Sequence, residues 1–551
     1  MLETKIISSL DKCFPETPVS GLSALARLTA LRGEVVSFQL AMRDDDPAAP
    51  HRRWAEVRLD GDLAELATVR NVEYIPSLMP VYPDPARSDD GYLKKEPGLY
   101  PDLLAPVGMM GRVAVCSFQT RTIWITLRLP EDMAAGDHTL SVSLHDGGEL
   151  SRDTLTLHVI AATLPASDLP FTQWFHCDCL AQYYRVPVFS EEHWRIIENF
   201  ARTAVSAGIN TLLTPIFTPP LDTGIGHERL TVQLVGVSRR GGEYSFDYTL
   251  LDRWIDMCRR VGVRYYEISH LFTQWGAAHA PKIMADDEGE YRRIFGWDTD
   301  AAVGEYPRFL CAFLPDFISH MKSLGEDHKC IFHISDEPNG DNITQYTASR
   351  AVVADLLEGY TVMDALSNIE FWERGVVTTP VVANNHIEPF IERDVPNLWA
   401  YYCCGQGVGV SNRFFAMPGA RTRFIGWQLY KYRIAGFLQW GYNFYMNQGS
   451  YNEVNPFLES TGGYFVPSGD AYSVYPAPDG TAWESLRQVQ FYEALQDREA
   501  ALLCERLVGR ERVLGILEGI CGDIVFSRCV CDTATALRLR EEINRVIEES
   551  L

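Results

Sequence analysis

Cys330-Ile331-Phe332-His333-Ile334-Ser335-Asp336-Glu337-Pro338-Asn339-Gly340-Asp341-Asn342 is the stretch on which the fold turns. A short apolar run ends in two adjacent carboxylates, a proline and a turn-rich tail. Such a run reads as a buried strand, and in an α/β barrel the catalytic groups sit at the carboxyl ends of strands. Outward from it, the chain alternates strand, loop and amphipathic helix, the pattern of parallel strands covered by helices. Eight strand candidates follow a linker at 164–170, at 171–176, 211–215, 265–269, 331–335, 361–366, 380–383, 398–402 and 436–440. Eight strands close a (β/α)8 barrel.

The helices between them carry their own signals. Ser190 caps a helix that runs through 207 and stops at Gly208, and a second, over 248–260, ends before Gly262. Further helices are expected at 305–324, 342–358, 420–434 and 483–507. Little helix separates the fifth and sixth strands, so the barrel is expected to be irregular there. Before the linker, β-rich runs at 35–42, 122–129, 136–144 and 154–160, with a hairpin turn at Asp146-Gly147-Gly148, read as an antiparallel β-sandwich. The expected organisation is a sandwich domain over 1–165, a catalytic barrel over 166–507 and a C-terminal helical extension over 508–551. The amphipathic helix at 533–551 of that extension is expected to pack on the barrel.

The length of 551 residues exceeds what one core supports. A formal charge of -24 with no basic cluster argues against nucleic acid and anionic membranes, and favours a neutral substrate. No run approaches a membrane span, and the first residues lack the apolar core of a secretory signal, so the expectation is a cytoplasmic protein, with homo-oligomerisation left open. Thirteen cysteines, several in tight pairs (Cys177/Cys179, Cys403/Cys404, Cys529/Cys531), read as free thiols. Cys177-Asp178-Cys179 beside His176 lacks further ligands at zinc spacing, so no metal is expected. Gly405-Gln406-Gly407-Val408-Gly409-Val410 breaks the dinucleotide fingerprint at its last position, and no cofactor is expected.

If the barrel reading holds, the strand ends bring together Trp174, His176 and Asp178; Thr214; Ser269 and His270; Asp336 and Glu337; Asn368; Asn384 and Asn385; Tyr401 and Tyr402; Trp440 and Asn443. Aromatic rings beside hydroxyl and amide groups suit a sugar. Two adjacent carboxylates resist double ionisation, which leaves one of them a proton to donate near neutral pH. A helix-capping acid with a solvated neighbour is the plainer alternative for the pair. Ordinary glycosidases need a second carboxylate across the sugar. The sixth and seventh strands end in Asn384-Asn385 and Tyr401-Tyr402-Cys403-Cys404 and offer none. Substrate-assisted hydrolysis of a 2-acetamido sugar needs no such partner, because the sugar's own amide oxygen attacks.

Ser335-Asp336-Glu337-Pro338, together with the run from Gly426-Trp427-Gln428-Leu429-Tyr430 to Trp440-Gly441-Tyr442-Asn443, resembles glycoside hydrolase family 123 and its relatives, the group of domain of unknown function 4091. Gly469-Asp470, Tyr475-Pro476 and Ser485-Leu486-Arg487 extend the likeness, which covers roughly 170–505. The resemblance implies a retaining exo-acting β-N-acetylgalactosaminidase with a β-sandwich before its barrel. In it Glu337 would be the acid/base and Asp336 would hold the acetamido group. Trp174, His176, His270, Asn384, Tyr401, Tyr402, Trp440 and Asn443 are the expected substrate-binding residues, some from the resemblance and others from position alone. Two rival readings stand beside this one: a glycosidase with an ordinary nucleophile drawn from Asp178, Glu267, Glu370 or Asp470, and a non-catalytic carbohydrate-binding protein that has inherited the barrel.

Overall fold

The computed structural model describes residues 2–108 and 111–551. All eight expected strands form, and they close a parallel barrel in chain order: Phe171–Gln173, Thr211–Thr214, Tyr265–Ile268, Cys330–Phe332, Thr361–Leu366, Thr379–Ala383, Trp399–Tyr401 and Gly436–Gln439. The pairing of Phe171 with Phe437 seals the first strand to the last. Side chains alternate between lumen and helix layer along each strand. Leu213, Met363, Ala365, Val381, Ala383, Trp399, Tyr401 and Leu438 fill the lumen. Leu212, Leu366, Val382, Ala400, Tyr402 and Phe437 join the larger core under the helices.

The helices stop where their sequence says. Ser190 Oγ accepts the His193 N–H to cap Glu191–Ser206, and Gly208 follows its C-terminus at φ 86°. Gly262, at φ 94°, ends Thr249–Val261. The expected irregularity is present, since only Glu370–Glu373 is helical between the fifth and sixth strands. An unexpected four-stranded sheet is added at the carboxyl side of the barrel by two hairpins, Gly236–Arg240 with Glu243–Asp247 and Ile283–Asp287 with Glu290–Phe295. Its hairpins lengthen the loops after the second and third strands, and those loops reach the pocket.

Two five-stranded sheets precede the barrel and share a core that includes Phe38, Leu40, Ile125, Leu140, Val142 and Leu157. One departure from an antiparallel sandwich is the parallel pairing of Arg27–Arg32 with Glu149–Thr163. The strand Val35–Asp44 is buried along almost its whole length because its sheet is covered on both faces. Beyond the sandwich core, Val72, Leu104 and Trp124 of that sheet pack on Leu486 and Val489 of the helix Leu486–Val508.

The C-terminal segment holds two helices, Arg510–Cys521 and Thr533–Glu549. The second does not rest on the barrel alone. Arg540 Nη2 donates to Glu34 of the sandwich at 2.7 Å while Nη1 donates to Asp497 of the barrel's last helix at 3.0 Å. All thirteen cysteines are free thiols. Among the described residues no helix is long and apolar enough to cross a membrane.

Candidate active site

A cleft of about 660 Å³ opens at the carboxyl ends of the strands, with Asp336 and Glu337 in its wall. Asp336 is half-buried and Glu337 exposed to the cleft. The segment before them is pinned from three sides. Asp364 Oδ1, on the fifth strand, accepts the N–H groups of Ile334 at 2.9 Å and Ser335 at 3.1 Å; Ser335 Oγ donates to the Thr273 carbonyl; and Trp275 N–H donates to the Asp336 carbonyl at 2.8 Å. Glu337 N–H then donates to the Ala365 carbonyl. Its backbone stands at φ 45°, directly before Pro338, a conformation that side chains rarely adopt. Strain of this kind persists only where the surroundings over-determine it, and it gathers at functional sites. Tyr401 donates its hydroxyl to Glu337 Oε1 at 2.7 Å.

Burial and the charge of Glu337 push the Asp336 carboxyl well above the usual range, against the opposing pull of His333. The pair therefore retains a proton that two isolated carboxylates would lose. His333 lies fully buried beneath it. Its Nε2 bonds Glu267 Oε1 at 2.8 Å and its Nδ1 stands 3.4 Å from Asp364 Oδ1. Burial alone would depress His333, but these two carboxylates outweigh it and raise it to about 9. His270 stacks on that imidazolium, centroids 4.2 Å apart and planes 20° from parallel. Burial and the adjacent positive charge hold His270 neutral. Ligand-type atoms of His270, His333 and Asp364 lie within 4.8 Å of one another. Stacked rings aim their lone pairs side by side, however, and Nε2 is committed to Glu267, so the arrangement holds a proton better than an ion.

Trp174, Trp275 and Trp440 line the cleft, and two of the three are steadied by an acid. Trp174 Nε1 donates to Glu267 Oε1 at 2.7 Å, and Trp440 Nε1 donates to Asp470 Oδ2 at 2.8 Å. Glu267 and Asp470 are thus anchors away from the wall. Asp178 is clasped by Arg229 through two bonds of 2.8 Å, and Glu370 pairs with Arg374 on an outer helix. None of the four acids named as ordinary nucleophiles lines the cleft.

Of the expected substrate-binding residues, Trp174, His176, Tyr401 and Trp440 are on the wall. His176 presents only its ring, because Nε2 meets the Trp440 carbonyl and Nδ1 meets Arg229. The other four, His270, Tyr402, Asn384 and Asn443, are not among the residues that line the cleft. His270 lies under Trp174, with its ring edge-on to the indole at 5.3 Å. Tyr402 follows Tyr401 and so points to the opposite side of the strand, against Phe437. Asn384 is buried and donates to the Ser411 carbonyl. Asn443 brackets the backbone of His176, accepting its N–H and donating to its carbonyl. The wall residues that were not foreseen, Leu221, Asp222, Gln274, Trp275 and Phe465, come from loops after the second, third and eighth strands; Cys403 and Cys404 also face the cleft. Their one sequence signal was position after a barrel strand.

The family model for the glycoside hydrolase 123 catalytic domain matches residues 174–504. No curated protein matches the chain. Among solved structures, a family 123 glycoside hydrolase from Clostridium perfringens, described in terms of glycolipid glycan hydrolysis, superposes with a TM-score of 0.72 at 14% identity, covering 100% of this chain and 98% of that one. Bacteroides uniformis β-glucuronidase 3 matches with a TM-score of 0.29 at 12% identity, over 90% of this chain and 51% of that one.

Proposed function

The chain belongs to glycoside hydrolase family 123, and from that premise we propose that it is a retaining exo-glycosidase that releases terminal β-linked N-acetylhexosamine of the N-acetylgalactosamine type, with the sugar's own acetamido group as nucleophile. The observation that carries this reading is the Asp336–Glu337 pair at the cleft, with Tyr401 on Glu337 and the four acids of the rival reading engaged elsewhere. In the proposed cycle the amide N–H of the bound sugar donates to Asp336. That contact favours its anionic form and passes the pair's proton to Glu337. Glu337 protonates the leaving oxygen as the amide oxygen attacks the anomeric carbon, and Asp336 stabilises the resulting oxazolinium ion. Glu337 then takes a proton from water, which opens that ring from the face the aglycone left, so the configuration is retained. Trp174 and Trp440 offer ring faces to the C–H surfaces of the sugar.

Turnover of an aryl N-acetyl-β-galactosaminide, with the first product's anomer read by NMR, tests the proposal. Retention, inhibition by a thiazoline analogue and loss of turnover in Glu337→Gln are expected; an α-anomer as first product would end it. One observation favours a second reading, a conventional nucleophile acting on a non-acetamido sugar: Asp222 supplies a third carboxylate to the cleft. Thiazoline-insensitive turnover of a 2-hydroxy glycoside would select it.

A further inference from the structure

Asp222 has no task in the cycle above, yet its placement is elaborate. Its backbone stands at φ 41°, strained for a residue with a side chain. Its N–H donates to Gln274 Oε1 at 2.6 Å, and its carbonyl accepts Ser450 Oγ at 2.8 Å. Gln274 Nε2 continues to the Thr223 carbonyl at 3.1 Å, and Gly224 N–H donates to the Gly449 carbonyl at 3.0 Å. Loops from the second, third and eighth strands thus converge to fix one acid at the wall. Its Oδ2 is buried and accepts no hydrogen bond. Burial pushes the carboxyl up to about 6, with the charge of Arg229 and the amide of Gly449 opposing. A buried acceptor left open in a strained, triply anchored position is suited to a donor that arrives with the ligand.

The surroundings say which donors. The cleft is lined by three carboxylates, Asp222, Asp336 and Glu337, and among the described residues no lysine or arginine shares the wall. The adjacent cation, Arg229, is spent on Asp178. Sugar hydroxyl groups satisfy such an acceptor. A carboxylate or sulfate on the sugar would meet like charge with no counter-ion, at a cost that like-charge contacts make large.

We propose that Asp222 is the specificity-determining residue of the cleft, accepting hydrogen bonds from hydroxyl groups of the terminal sugar and excluding sugars that carry a carboxylate or sulfate. The inference rests on glycoside hydrolysis as the activity but not on the acetamido nucleophile, and the two separate experimentally.

Wild type, Asp222→Asn and Asp222→Ala are compared on aryl β-N-acetylgalactosaminide, β-galactoside and β-glucuronide, with binding of the methyl glycosides by calorimetry where turnover is slow. Wild type should disfavour the glucuronide by at least about 100-fold. Asp222→Ala should lose about 10- to 100-fold in kcat/KM on the preferred neutral sugar, mainly through KM. Asp222→Asn keeps an acceptor oxygen without the charge; it should lose less and raise the glucuronide-to-neutral ratio about tenfold or more. Unchanged melting temperatures identify these as site effects. A glucuronide preference in wild type, or ratios and KM unmoved in both variants, overturns the proposal. So does abolished turnover in Asp222→Ala that azide restores with an inverted glycosyl azide, the mark of a nucleophile. Preference for the β-galactoside over the acetamido sugar would instead end the substrate-assisted reading and leave the role of Asp222 standing.

Discussion

At the scale of the residue, adjacent side chains of one type have separate work. Asp336 is driven towards its neutral form by burial and its neighbour, while Glu337 is open to the cleft and held by Tyr401. Tyr401→Phe removes that 2.7 Å bond and leaves a ring of the same shape. We expect kcat to fall about 10- to 100-fold, the range for a hydrogen bond to a charged group, with thermal stability nearly unchanged; steady-state kinetics and a melting curve check both. His333 contributes charge from below. Folded, it titrates near 9, against about 6.5 in an unfolded chain. Its contribution to stability is therefore fully present below about pH 6.5 and is lost as pH rises through 9, on the order of 3 kcal/mol in all. Denaturation midpoints across pH 6 to 10 should fall less steeply in His333→Gln than in wild type. Asp336 and Glu337 were legible in the sequence as a strand-end pair, and His333 lies in the same stretch. The protonation of His333 was not legible, because Glu267 and Asp364 come to it from neighbouring strands.

At the scale of the element, the barrel strands are short, and alternation within them decides which residues see the cleft. Of each pair only one side chain faces inward, and the run of apolar letters does not say which. Trp399 shows how closely the lumen is filled, since its indole lies over Gly436 on the next strand, where an added Cβ would come within 2.2 Å of the ring. Gly436→Ala must displace that indole or spread the seventh and eighth strands. A destabilisation of about 1–3 kcal/mol is expected, the usual cost of overpacking, read as a lower denaturation midpoint. Gly426, in the same stretch of sequence, packs with equal closeness, its Cβ position 2.1 Å from the Ala494 carbonyl oxygen. Part of what made that stretch recognisable is thus helix contact rather than chemistry.

At the scale of the whole molecule, the sandwich is tied into the site. Asp102 on a sandwich strand and Arg487 on the last barrel helix form a fully buried bidentate pair, 2.7 and 2.9 Å. Arg487 also donates to the carbonyls of Gly469 and Tyr472, which flank the Asp470 that steadies Trp440. Arg487→Met leaves Asp102 buried with its charge uncompensated, and about 3–5 kcal/mol should be lost, with a higher KM as Trp440 loosens. Replacing Asp102 by Leu in the same chain should recover much of the stability, because no stranded charge remains; chemical denaturation of both variants measures it. By itself the sequence determined the eight strands, their order, the helices between them and the place of Asp336 and Glu337 at the end of the fourth, since each rests on local periodicity and on residues a few positions apart. Only the tertiary structure decided that Tyr401 faces the cleft while Tyr402 does not, that Glu267 and Asp470 hold tryptophans, and that Asp222 joins the wall. Those outcomes depend on how a closed barrel orients each strand and on which distant loops meet above it, and no neighbouring residue in the chain encodes that meeting.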